Sequence, residues 1–318
     1  MKEKCICIQG VLVPVPTPFD DNGRLLPRAF RANLAWLGKF PLSGFVALGS
    51  NGEFPLLTEK EKLQVIEQAR EAIPHGRLLL AGTGCESTAA TIALTKKAAR
   101  VGADAALVVT PSYYRSRMTP EALTRHFLAV AEAAPIPVLL YNMPANTGVD
   151  MTPETVLAVA EHPNVVGIKD SGGNLVAMAE ICRAAPPGFS VLAGSAGFFL
   201  AALSVGAVGG IMALANIAPA ECCAIWECVR GGEWSEARRL QLRLVRLNGA
   251  VTRRWGVAAL KQAMDMIGLY GGPVRPPLLP LNQEQVAELR LLLQESGVMQ
   301  GVSKEGAEDG VKDGGRMR

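Results

Sequence analysis

Residues 165–173, VVGIKDSGG, set one lysine where an apolar run gives way to a glycine turn. Along a strand the side chains alternate, so Gly167, Lys169 and Ser171 share one face while Val166, Ile168 and Asp170 share the other. Asp170 is thereby kept from neutralising Lys169. Burial among small and apolar neighbours drives an amine toward its uncharged form, which attacks ketones. A strand-end lysine reaching out to water satisfies the same nine residues, so the company that Lys169 keeps decides between the two. Tyr141 is the last inward residue of the run IPVLLYN, on the same face as Leu139, and a buried phenol passes protons when its partners assist. Ser50-Asn51-Gly52 follows another apolar run and offers a hydroxyl and successive N–H groups to a carboxylate, although a plain turn reads the same. Amine, phenol and hydroxyl together point to imine chemistry.

The elements that would position these groups recur with a regular beat. Apolar runs at 10–19, 44–49, 77–82, 105–110, 136–142, 165–170, 190–194 and 209–214 are each followed by a helical pattern, and Thr58 with Glu61 makes a capping box for one helix. Eight nearly all-apolar strands, each followed by a helix, call for a parallel sheet buried on both faces and closed into a (β/α)8 TIM barrel over residues 1–217. An open doubly wound sheet is the alternative, but no G-x-G-x-x-G follows the first run. Helical patterns at 218–230, 233–247, 255–267 and 283–294 predict a C-terminal helical subdomain over 218–297. The remainder, 298–318, has too little apolar content to pack and reads as a disordered tail.

Such a barrel carries its site at the C-terminal strand ends, where this chain places Thr17, Ser50, Asn51, Cys85, Glu86, Tyr113, Tyr114, Tyr141, Asn146, Lys169, Ser171, Gly194, Ser195 and Asn216. The set holds one amine, several hydroxyls and almost no carboxylate or imidazole. His75, His126 and His162 fall toward the other face and read as surface residues, which disfavours a histidine metal site or a Ser/His/Asp triad. Cys85, Cys222 and Cys223 read as packing. The glycines of Gly194-Ser195-Ala196-Gly197 and Gly209-Gly210 keep a phosphorylated ligand or pyridoxal phosphate open beside a close-packing role, yet no Lys or Arg flanks them.

Composition narrows the class further. The 318 residues are 49% hydrophobic and 19% charged with a net charge of +3, as in a one-domain soluble enzyme. No basic run is present, so nucleic acid is not an expected partner. No apolar run reaches the length of a membrane span. Seven cysteines without C-x-x-C spacing suit reduced thiols, and the start MKEKCICIQG has neither a signal-peptide core nor a transit-peptide composition, so the chain as written reads as cytoplasmic.

The segments GSNGEFPLLTEKEK, TPSYYRSRMTPE, LLYNMPANTGVD and GIKDSGGN, in that order and spacing, resemble the class I pyruvate aldolase family, which includes dihydrodipicolinate synthases and N-acetylneuraminate lyases. Within it, LLLAGTGCEST, GADAALVVTP, VLAGSAGF, AVGGIMALAN, AVTRR and YGGPVRPPL are most similar to the 4-hydroxy-2-oxoglutarate aldolases of animals. The resemblance implies a barrel with a helical C-terminal subdomain, a homotetramer, no metal and no cofactor beyond a covalent imine on Lys169. It implies cleavage of 4-hydroxy-2-oxoglutarate to pyruvate and glyoxylate.

Carried over by motif, G-x-K-[DE] makes Lys169 the imine lysine, and Y-N-x-P makes Tyr141 the proton shuttle. G-[ST]-x-G-E makes Ser50 the partner hydroxyl, with Asn51 beside it binding the keto-acid carboxylate through backbone amides. T-P-x-Y puts Tyr113 into a neighbouring subunit's site, and Ser171 and Gly194 match pocket positions. The synthases of the family usually carry two threonines where this chain has Ser50 and Asn51, and an arginine where it has Asn146. Aldolases of 3-deoxy-hexulosonates, whose loop can also read G-S-N-G-E, stay open as an alternative, as do a dihydrodipicolinate synthase-like enzyme and a barrel that binds a keto acid without turning it over. Arg115, Arg117 and Asn146 are the candidates for gripping a distal carboxylate. Animal relatives act in mitochondria, which adds the matrix as a second possible compartment.

Overall fold

A computed structural model describes residue 6 and residues 8–299. Eight short parallel strands, β1 (Gly10–Pro14), β2 (Gly44–Ala47), β3 (Leu78–Gly82), β4 (Ala105–Val109), β5 (Val138–Asn142), β6 (Val165–Asp170), β7 (Ser190–Ala193) and β8 (Gly209–Ile211), pair in chain order, and β8 pairs with β1 to close the barrel. The helices are α1 (Pro27–Leu37), α2 (Glu59–Ala72), α3 (Thr88–Arg100), α4 (Pro120–Ala133), α5 (Pro144–Thr147), α6 (Pro153–Ala160), α7 (Leu175–Ala184), α8 (Phe199–Ser204), α9 (Pro219–Arg230), α10 (Trp234–Gly249), α11 (Gly256–Met266) and α12 (Gln283–Glu295). This is the TIM barrel that the eight apolar runs predict.

Strand alternation builds two cores. Leu12, Val46, Leu80, Leu107, Leu139, Tyr141, Leu192 and Ile211 point to the barrel axis, where Ile8 joins them from the segment preceding β1. Their sequence neighbours Val11, Val13, Phe45, Leu79, Val108, Leu140, Ile168 and Val191 face the helices. The outlier is Val166, expected on the helix side, which packs against the inner cluster. The cause is an irregularity in the β5–β6 register, where Val138 opposes Val165 but Leu139 opposes Gly167. Beyond it the alternation resumes, and Tyr141 opposes Lys169.

Only β6 spans its whole apolar run; the other seven strands fall short of theirs, β1 and β8 by the most. Pro14, Pro16 and Pro18 lack the N–H that a ladder needs, so β1 stops at Pro14. After Ile211 the chain turns into Ala213–Asn216 rather than extending. Val298 and Met299, expected to open the tail, instead pack against the core, and the Val298 N–H donates to Leu293 O at 3.1 Å. Residues 300–318 lie outside the described residues.

Polar ties fasten α10 to α12 and their connections onto the barrel. The Gln241 amide spans Ala196 O at 2.7 Å and Leu200 N at 3.1 Å. Asn33 on α1 pairs with the Tyr270 backbone in both directions, at 2.7 and 3.1 Å. Arg275 holds the Glu61 carboxylate through its terminal nitrogens at 2.7 and 3.0 Å. Glu61 also completes the expected capping box with Thr58. Among the described residues no helix is long and apolar enough to cross a membrane.

Candidate active site

The C-terminal strand ends enclose a cavity of about 1000 Å³. Lys169 comes from β6 with only 4% of its surface exposed, and its Nζ lies 4.1 Å from the centroid of the Tyr141 ring. Tyr141, from the facing position on β5, shares a 3.1 Å hydrogen bond with Ser50 Oγ. Burial pushes the Tyr141 phenol up, but the Lys169 charge and hydrogen bonds from Ser50, Lys169 and Ser171 outweigh it, so the phenol titrates below its usual 10. Amine, phenol and two hydroxyls therefore converge on one point of the wall. A carbonyl placed there meets a nucleophile and a proton relay together.

Asp170 stays out of this cluster, as alternation requires. Its carboxylate accepts from the Asn142 amide at 2.8 Å and from the N–H groups of Gly172 and Gly173 at 3.0 and 3.2 Å. Those bonds shape the turn after β6. Gly194 presses on the same turn: a Cβ there would stand 1.9 Å from Ser171 Oγ and 2.7 Å from Asp170 O, so only glycine fits.

The Ser50–Gly52 turn is held under strain. Leu48 at φ 60 and Glu53 at φ 54 flank it in the left-handed region, each at a cost of roughly 1–3 kcal/mol. The Gly52 and Glu53 amides turn inward to Gly49 O (2.9 Å) and Ser50 O (3.1 Å), and Thr17 Oγ1 donates to Gly52 O at 2.7 Å. That leaves the Ser50 and Asn51 amides without an acceptor among the described residues, as a carboxylate nest requires. Glu53 anchors the turn from below, with its Oε1 2.6 Å from Lys261 Nζ and its Oε2 accepting from Arg275 N at 2.8 Å.

Of the residues expected at this face, Ser50, Asn51, Cys85, Glu86, Tyr141, Asn146, Lys169, Ser171, Gly194 and Ser195 line the cavity. Thr17 and Asn216 do not: both are buried and bound to backbone, Asn216 to Pro14 O and Ala213 O at 3.0 Å. Tyr113 and Tyr114 do not line it either; they stand 78% and 68% exposed and pack edge to face on each other. Arg115 and Arg117, expected candidates for a second carboxylate, are also absent from the wall.

His126 corrects the expectation of surface histidines. It is buried on α4 with Nδ1 2.9 Å from Thr88 Oγ1, and burial pulls its pKa below the usual 6.5. It does not line the cavity. Among the described residues no group of three or more His, Cys, Asp or Glu side chains is arranged to hold a metal ion.

Sequence reasoning missed two features of the wall. Glu53 gave no signal because its partners lie more than 200 residues away. Val251, Thr252 and Arg253 reach the cavity from a π-helical turn, Ala250–Arg254, in the gap between two expected helices. The segment AVTRR was legible as a resemblance but carried no role.

A sequence model described as the dihydrodipicolinate synthetase family matches residues 7–296. The chain is 37% identical over 290 residues to a 4-hydroxy-tetrahydrodipicolinate synthase of Neisseria gonorrhoeae, covering 91% of this chain and 99% of the relative. It is 36% identical over 294 residues to a probable mitochondrial 4-hydroxy-2-oxoglutarate aldolase of Emericella nidulans, covering 91% and 95%. Among solved structures, the dihydrodipicolinate synthase of Acinetobacter baumannii in complex with pyruvate superposes with a TM-score of 0.88 at 32% identity, covering 92% of this chain and all of that one (100%).

Proposed function

The chain belongs to the dihydrodipicolinate synthetase family, and from that premise we propose that it cleaves 4-hydroxy-2-oxoglutarate to pyruvate and glyoxylate. It is a class I pyruvate aldolase of that family, whose members work through a lysine imine without an external cofactor. The observation that carries the reading is the buried Lys169 amine against the Tyr141–Ser50 pair. Against synthase activity stands Asn146, which by motif occupies the position where the family's synthases usually carry an arginine that helps hold the acidic substrate.

Lys169 Nζ attacks C2 of the keto acid, and loss of water gives a protonated imine. The Ser50 and Asn51 amides hold the C1 carboxylate, and Ser171 and Gly194 shape the wall beside it. Tyr141, relayed through Ser50, takes the proton of the C4 hydroxyl. The C3–C4 bond breaks, its electron pair passes into the imine to give an enamine, and glyoxylate departs. Tyr141 returns the proton to C3, and water releases pyruvate from Lys169.

Tyr113, exposed and outside its own cavity, completes the relay from a neighbouring copy in a homotetramer. Its exposure supports that placement.

The substrate assignment is tested with a panel read by coupled detection of pyruvate: 4-hydroxy-2-oxoglutarate, sialic acid and 3-deoxy-hexulosonates for cleavage. Consumption of pyruvate with aspartate semialdehyde tests the synthase reaction in parallel. The reading requires 4-hydroxy-2-oxoglutarate to give the highest kcat/KM. A clear preference for a sugar acid, or faster condensation with aspartate semialdehyde, overturns it.

A further inference from the structure

Resting on the imine-aldolase reading, we propose that Arg253 binds the second carboxylate of the substrate and makes the cavity selective for 2-keto dicarboxylates. The two arginines of the π-helical turn are used differently. Arg254 pairs with Glu288 and covers the Trp255 ring at 4.3 Å. Arg253 reaches the cavity and makes no ion pair among the described residues. The turn is closed by a Trp255 N–H to Ala250 O bond of 3.1 Å. Such turns are rare and gather at functional sites, and three consecutive residues of this one, Val251, Thr252 and Arg253, line the cavity.

Nothing in the wall neutralises Arg253. Of the wall carboxylates, Glu53 is taken by Lys261 and the Arg275 N–H, and Glu86 accepts from Ser112 N, Ser112 Oγ and Tyr113 N at 2.8–2.9 Å. Lys62, another cation of the wall, sits over the Phe54 ring at 5.6 Å and shares the surroundings of Cys85 with Glu59 and Glu86.

The Arg253 guanidinium lies beside the turn after β6, where its terminal nitrogen is 3.8 Å from a Cβ built on Gly173. In the eight-stranded ring β6 stands opposite β2, so the end of β6 beside which Arg253 lies and the Ser50–Asn51 turn after β2 belong to opposite sides of the one cavity that all three residues line, together with Lys169. Ser195, also in the wall, accepts from Gly197 N at 3.2 Å and Asn248 Nδ2 at 3.1 Å, so its own O–H remains to donate inward. A keto diacid bound through C2 to Lys169 has one carboxylate at the amides and the other at the guanidinium, a planar fork suited to a carboxylate.

The experiment is borohydride trapping, read by intact mass, with pyruvate, 2-oxoglutarate and 2-oxopentanoate; the last matches 2-oxoglutarate in carbon number but lacks the distal charge. Because Arg253 is exposed in the free protein, solvent screening discounts the pair, and in the wild type half-maximal trapping should need roughly 2- to 5-fold less 2-oxoglutarate than 2-oxopentanoate. Arg253→Gln should erase that preference while trapping pyruvate as before, and Arg253→Lys should keep part of it. A preference surviving in Arg253→Gln, or absent from the wild type, overturns the proposal. Absence of any pyruvate adduct in the wild type instead overturns the imine reading on which it rests.

Discussion

Replacing Glu53 with glutamine should cost the protein about 3–5 kcal/mol, the usual penalty for breaking a buried ion pair from one side. The side chains of Glu53 and Lys261 are 0% and 1% exposed and lie 2.6 Å apart. Glutamine fills nearly the same volume and can still accept from Arg275 N. The Lys261 ammonium, however, keeps as contacts Pro273 O at 2.8 Å and the Phe19 ring at 4.4 Å, with the Asp265 carboxylate as a more remote attraction. Against a typical total of roughly 5–15 kcal/mol, the loss is a large fraction of the stability.

The pH dependence carries the same signature. Burial holds the Lys261 pKa below its usual 10.5 against the opposing pull of Glu53. The unfolded chain therefore binds more protons near that range, and stability is lost as pH falls through the folded value. Removing the Glu53 charge should widen that window toward lower pH. Urea unfolding followed by circular dichroism measures both effects, and Glu53→Gln with Lys261→Met should recover much of the loss. A single-variant loss under about 1 kcal/mol, or a double variant no more stable than the single, refutes the reasoning.

Tyr141→Phe keeps the ring over Lys169 but removes the proton relay, so kcat should fall by roughly 10²- to 10⁴-fold while pyruvate trapping persists; steady-state kinetics beside trapping checks both. Gly194→Ala should displace Ser171 and raise KM for the keto acid, because the added Cβ lands 1.9 Å from Ser171 Oγ; an unchanged KM counts against that packing. Arg275 holds Glu61 down at a pKa of about 2 from 4.5, so this ion pair contributes stability that is present above about 4.5 and lost as pH falls toward 2. Solvent screening leaves on the order of 1 kcal/mol, and thermal unfolding of Arg275→Met against pH should show that slope removed.

The barrel was legible because parallel strands buried on both faces must be apolar throughout, and β6 runs over the expected Val165–Asp170. Lys169, Tyr141 and Ser50 were legible because alternation and strand ends place side chains without coordinates. The rest depended on distance in space or on broken period. Val166 changed faces through a register irregularity that no local pattern announces. His126 sits three residues after Leu123 and four before Val130 on the buried stripe of α4, a signal present in the spacing but outweighed by the usual exposure of histidine. Glu53 needed Lys261 and Arg275, and Arg253 needed a π-helical turn that departs from the 3.6-residue repeat.

The most direct measurement is to incubate the protein with pyruvate, reduce with borohydride, and map the modified peptide by mass spectrometry. The adduct should add the mass of pyruvic acid less one oxygen atom, sit on Lys169, and vanish in Lys169→Ala together with aldolase turnover. An adduct on another lysine, or turnover persisting in Lys169→Ala, would contradict a covalent mechanism centred on that amine.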